Sequence, residues 1–129
     1  MLIIDDNAAN RELYVDLLEM TSFTAFALDS GDQAVALVQE LCPGLVLLDI
    51  QLPGRDGFAV AADIRAAATS AHPAPTILAL TASSLPGLAE RLEAAGFAGL
   101  VSKPCGLDTF IEAVEWAIAA AEKPKFRVF

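Results

Sequence analysis

Five short apolar runs recur along this chain, and each is followed by a stretch with the spacing of an amphipathic helix. The runs are Met1–Ile4, Phe23–Leu28, Leu45–Leu48, Thr76–Leu80 and Gly99–Ser102. Runs this short, bounded by turn residues, suit strands and not helices. Between them, apolar residues fall at helical spacing: Leu13, Leu17, Leu18 and Met20 in residues 8–20, and Val35, Leu37, Val38 and Leu41 in 32–41. An alanine-rich pattern covers 58–68, Leu88, Leu92 and Ala95 follow Pro86, and Phe110, Val114 and Ile118 lie in 107–121. Pro43-Gly44 and Gly96 supply stops. Uninterrupted strand–helix alternation predicts an α/β fold with a parallel sheet and helices on both faces. The third and fourth runs are apolar almost throughout, as strands covered on both sides must be.

At 129 residues and 55% hydrophobic, the chain fits one domain and is too apolar for intrinsic disorder. Its 17 acids against 8 bases give a net charge of −9. A field of that sign repels phosphate backbones and anionic lipid, so neither nucleic acid nor membrane is an expected partner. Cys42 and Cys105 form no metal spacing or disulfide framework, and no leader pattern opens the chain. The uncharged stretch 66–89 is broken by Pro73, Pro75 and Pro86, so it reads as loop, strand and loop. A soluble cytoplasmic domain is expected. Residues 1–121 hold 16 acids and 5 bases, and Lys103 is the only lysine among them.

In open α/β sheets, ligands bind outside the carboxyl ends of the strands. Those ends carry Asp5-Asp6, Asp49, Thr81 and Lys103. Singly, each has a bland explanation as a cap, a turn hydroxyl or a solvated charge. Gathered at one edge, three carboxylates repel one another and need a cation to stay ionised together. Carboxylate oxygens without His or Cys suit Mg²⁺, which also takes phosphate oxygens. An ammonium and a hydroxyl then complete a site for a phosphoryl group, with a carboxylate as nucleophile.

The residues Ile3-Ile4-Asp5-Asp6-Asn7, Leu47-Leu48-Asp49 with Pro53-Gly54 and Asp56-Gly57, Leu80-Thr81-Ala82, and Ser102-Lys103-Pro104 resemble the receiver domain of two-component response regulators. The resemblance covers residues 1–121, with 122–129 as a C-terminal tail or linker. It implies a flavodoxin-like, doubly wound sheet of five strands in the order 2-1-3-4-5 with five helices. It further implies that Asp49 is the phosphoacceptor, and that Asp6, Asp49 and the Gln51 backbone carbonyl hold Mg²⁺, with Asp5 acting mainly through water. Lys103 would pair with Asp49 or its phosphate, before a cis bond to Pro104, while Thr81 and the Ala82 N–H would bind a phosphate oxygen. Gln51 and Ser83 occupy the places that tune loss of the phosphoryl group. The implied donor is a histidine kinase or histidine phosphotransfer protein, with Asn10, Arg11 and Tyr14 as docking candidates. The implied output is a protein contact or a homodimer through the fourth helix, fifth strand and fifth helix. One departure stands out: receivers often carry an aromatic residue three places before the lysine, and this chain has Leu100.

Two rivals remain at this point. An interaction module that never meets phosphate would not need the acid–threonine–lysine set. A phosphatase with an aspartyl nucleophile wants a second acid two places on, where this chain has Gln51. An independent enzyme is therefore not expected, although Mg²⁺-dependent self-phosphorylation is. His72, Cys105 and Trp116 read as a loop histidine, a packed thiol and a packing residue.

Overall fold

A computed structural model of the chain describes residues 1–21, 23–52, 54, 56–82, 86–103, 106–119 and 125–129. The elements alternate as the sequence predicts. They are β1 (Leu2–Ile4), α1 (Ala8–Met20), β2 (Phe26–Leu28), α2 (Ala34–Leu41), β3 (Leu45–Asp49), α3 (Gly57–Ala66), β4 (Thr76–Thr81), α4 (Leu88–Ala94), β5 (Gly99–Ser102) and α5 (Leu107–Ala119). Beyond them lies β6 (Arg127–Val128).

All neighbouring strands are parallel, in the order β2-β1-β3-β4-β5-β6. The first five strands keep the expected order, but the sheet has six strands and not five. A two-residue strand in the segment expected as tail or linker is too short for any periodicity to announce. Its pairing is a tertiary event, made by docking on β5.

Alternation along the strands divides the interior into two layers. Leu2, Ile4, Val46, Leu48, Ile77 and Ala79 point to one face, where Val38, Val60, Ile64 and Leu92 from α2, α3 and α4 cover them. Ile3, Leu45, Leu47, Leu78, Leu80 and Val101 point to the other, where α1 and α5 supply Leu18, Phe110 and Val114. Tyr14 of α1 stacks on Phe110 of α5, with ring centroids 4.8 Å apart. This is the doubly wound arrangement: β1, β3 and nearly all of β4 are buried on both faces, while the edge strands β2 and β6 keep exposed side chains.

The buried stripe of α1 differs from the pattern expected. Tyr14 and Leu18, four residues apart, face the sheet, while Leu13 and Met20 are 51% and 78% exposed. Leu13 is one helical step from Tyr14, about 100° around the axis, and the bulkier ring takes the core position. Ile118 likewise faces outward on α5. Among the described residues, no helix is long and apolar enough to cross a membrane.

Register brings the strand ends level. Ile4 pairs with Leu48, Asp49 with Leu80, and Thr81 with Ser102. The residues at or just past those pairs are Asp5, Asp49, Thr81 and Lys103, so the parallel ladder itself delivers them to one edge.

Candidate functional site

Asp5 is wholly buried just beyond β1, and its N–H still donates to Leu28 O at 3.1 Å. The chain turns there into α1, and the first turn of that helix holds the carboxylate. Asn7 caps the helix, its side chain accepting from Asn10 N at 3.1 Å. Asn7 N donates to Asp5 Oδ1 at 2.9 Å, Asn10 Nδ2 lies 3.5 Å from Oδ2, and Arg11 Nη1 donates to the Asp5 carbonyl at 2.9 Å. Asp6 points outward and is exposed.

Asp49 ends β3, 6% exposed. Its Oδ1 accepts from Gln51 N at 2.9 Å, which folds the following loop back over the carboxylate. Ile50 N donates to Leu80 O, and Gly57 N donates to Ile50 O, bringing the start of α3 against this turn. That approach requires glycine: a Cβ at position 57 would meet Ile50 Cα at 2.7 Å and Asp49 O at 2.8 Å. Asp56 caps α3, accepting from Ala59 N at 2.8 Å.

Lys103 joins the two halves of the site. Its Nζ lies 2.6 Å from Asp5 Oδ2 and 2.9 Å from Asp49 Oδ2, and its side chain is 13% exposed. Its N–H donates to Thr81 O at 2.8 Å, tying the ends of β4 and β5 together. Thr81 is buried, and Ala82 beside it is exposed.

Three carboxylates, from Asp5, Asp6 and Asp49, offer oxygens that all lie within 4.8 Å of one another. At that separation two full charges repel by roughly 3 kcal/mol at an effective dielectric near 20. Burial pushes the Asp49 carboxyl above its usual value of 3.8, against the pull of Lys103 and the Gln51 N–H, and Asp5 adds to the rise. Burial opposes the charged form of Lys103 too, but hydrogen bonds to Asp5 and Asp49 prevail and hold its ammonium above 10.5. The lysine thus stays charged where the aspartate is under strain to lose its charge. An all-oxygen donor set of this kind fits a hard divalent cation and not a thiolate- or imidazole-seeking one.

Every described residue expected at the site is at this edge: Asp5, Asp6, Asp49, Gln51, Thr81, Ala82 and Lys103. Pro53, Ser83, Pro104 and Cys105 lie outside the described residues. Tyr14, expected to dock a donor, is 4% exposed against Phe110 and cannot serve. Asn10 and Arg11 hold Asp5, a role the sequence reading missed; the helix-start pattern after Asp6 was the available signal. Leu100 is buried beside the α2–α4 layer. Trp116 packs edge-on against Phe129, and His72 contacts Cys42 Sγ at 3.2 Å, near the opposite ends of the strands.

Comparison with known proteins agrees with this geometry. The sequence pattern described as response regulator receiver domain matches residues 1–115. The polar-differentiation response regulator DivK of Brucella ovis is 32% identical over 115 residues, covering 89% of this chain and 92% of that protein. The receiver domain of NtrX from Brucella abortus superposes with a TM-score of 0.82 at 25% identity, over 93% of this chain and 98% of that one. The chemotaxis response regulator CheY4 of Vibrio cholerae shares the fold, with a TM-score of 0.81 at 22% identity, over 90% and 95% of the two chains.

Proposed function

The chain belongs to the response regulator receiver domain family, the signalling module of two-component systems, and on that premise we propose that Asp49 accepts a phosphoryl group from a phosphohistidine. The observation that carries this reading is Lys103 Nζ held between Asp5 and Asp49, with Asp6 completing a carboxylate cluster open to solvent on one side. A module of this family is not an independent enzyme; its chemistry serves a change of contacts.

Mg²⁺ is the cation proposed, held by Asp6, Asp49 and the Gln51 carbonyl. Both Asp5 oxygens already accept from protein donors, which supports Asp5 acting through water. When bound, the ion neutralises charge on the oxygens of the transferring group. The chain's own residues do the rest. An Asp49 carboxylate oxygen attacks phosphorus, forming the new P–O bond as the P–N bond to the donor histidine breaks, and the imidazole leaves with the electron pair. Lys103, charged at neutral pH, moves its hydrogen bonding from the carboxylate to the phosphoryl oxygens. The Thr81 hydroxyl and the Ala82 N–H take another oxygen, drawing the end of β4 toward Asp49. The same arrangement would accept a phosphoryl group from a small acyl phosphate and release it to water.

The donor is a histidine kinase or histidine phosphotransfer protein, meeting the exposed carboxylate edge in the cytoplasm. Output runs through a two-state element that phosphate favours in one state, expressed as a protein contact or homodimer on the α4–β5–α5 face. Nucleic acid and membrane are not partners of so acidic a body.

Incubation with Mg²⁺ and an acyl phosphate, followed by intact mass, tests the reading. One phosphoryl addition is expected, absent when the ion is chelated. No addition, or an addition indifferent to chelation, would overturn it.

A further inference from the structure

Strand β6 follows α5 as a two-residue strand added in parallel at the β5 edge of the sheet. Arg127 and Val128 pair in parallel with Gly99 and Leu100. Phe129 N donates to Leu100 O at 2.7 Å, Ser102 N donates to Phe129 O at 3.4 Å, and Arg127 N donates to Ala98 O at 3.4 Å. Side chains alternate across the sheet. Arg127 and Phe129 face α5, where Arg127 Nη2 reaches Glu112 Oε1 at 2.7 Å and the Phe129 ring meets Trp116 edge-on at 5.3 Å. Phe126 packs against the opposite layer, the one that holds Leu100. Gly99 permits the close approach, because a Cβ there would stand 2.7 Å from Arg127 O.

The β5 edge therefore offers backbone donors and acceptors, a glycine step, an aromatic wall and a carboxylate set for a cation. Those are the parts of a strand-addition groove, in which the main chain supplies affinity and alternate side chains supply specificity. The occupant is held lightly. Its strand is two residues long, Val128 is 55% exposed, and the Arg127–Glu112 pair is solvated on both sides. Strands so short and ion pairs so exposed contribute little.

We propose that the β5 edge is a binding groove for an extended peptide of the pattern aromatic–arginine–aliphatic–aromatic, and that residues 126–129 are its built-in, displaceable occupant. The segment seals an edge whose backbone groups would otherwise recruit another chain. A partner that adds a strand at β5 must first displace it. Phosphoryl chemistry is not required for this, since among the described residues the groove contacts named above involve neither Asp5, Asp6 and Asp49 nor Lys103.

Trp116, the sole tryptophan, reports on the groove directly. Its emission is compared in the intact chain, in a chain lacking residues 126–129, and in both with a millimolar peptide of sequence Lys-Phe-Arg-Val-Phe. Deletion is expected to red-shift the emission and the peptide to reverse the shift. The intact chain should respond about tenfold more weakly, because its own segment competes at millimolar effective concentration. Arg127→Glu in the intact chain, which keeps every other residue, is expected to shift the emission in the same direction as deletion. Unchanged emission on deletion would overturn the proposal by removing the segment from the edge. A shift that the peptide cannot reverse would make the segment a fixed cover and overturn the groove. An intact chain that is dimeric, and becomes monomeric on deletion, would assign the occupant to a second copy and overturn the intramolecular assignment.

Discussion

Lys103 balances two carboxylates at once, and its removal separates the structural from the chemical demands on the site. Lys103→Met leaves Asp5 and Asp49 buried without their cation, so it should cost about 3 kcal/mol in urea unfolding without Mg²⁺. Mg²⁺ should return part of that loss, since it answers the same charges. Asp49→Asn should behave oppositely. It removes a charge that burial and Asp5 both disfavour, so the fold should be unchanged or gain about 1 kcal/mol while phosphoryl acceptance disappears. The pH dependence has a definite sign. Lys103 is raised above 10.5 in the fold, so its pairing stabilises fully below pH 10.5 and is lost as pH climbs through the raised value. Unfolding midpoints of the wild type should fall along that alkaline limb, and those of Lys103→Met should not share the fall. Asp49, raised above 3.8, imposes its cost above the raised value and is relieved as pH drops toward 3.8.

At the scale of elements, the turn from β3 into α3 is the most tightly constrained piece. Gly57→Ala would drive a Cβ into backbone on two sides, so a loss of about 2 kcal/mol is expected. Mg²⁺ affinity, read by calorimetry, should weaken with it because Asp49 is displaced. Asp56→Ala, which removes only the cap of α3, should cost about 1 kcal/mol and leave Mg²⁺ affinity nearly intact. The difference between these two substitutions measures how far the turn positions the acid. Strand–helix alternation made α1 to α5 and β1 to β5 legible in the sequence, because each core strand and helix carries its own apolar period. The edge cluster was legible for a different reason: a chemically costly set of acids with one lysine recurs at strand ends. What stayed hidden depends on packing. Tyr14 and not Leu13 takes the core position, where it stacks on Phe110 of α5, and β6 forms where Gly99 and α5 receive it.

For the whole molecule, the acidic surplus has two parts. Most of it is spread over exposed helix faces, while three acids sit within one small cluster that could hold a metal ion, and on the proposed function a bound cation would stabilise the whole fold. A ligand bound only by the folded state stabilises it by about 2.7 kcal/mol at a hundredfold excess over Kd. Thermal unfolding should therefore rise with Mg²⁺ in the wild type and stay flat in Asp6→Asn. The central claim is that the cluster exists to phosphorylate one residue, and locating the phosphoryl group tests it most directly. Protein treated with Mg²⁺ and an acyl phosphate, then reduced with borohydride and digested, carries its label wherever an acyl phosphate had formed. The account predicts that tandem mass spectrometry finds Asp49, and only Asp49, converted to homoserine, with no conversion in Asp49→Asn. Conversion at Asp5, Asp6 or any other acid, or its persistence in Asp49→Asn, would contradict it.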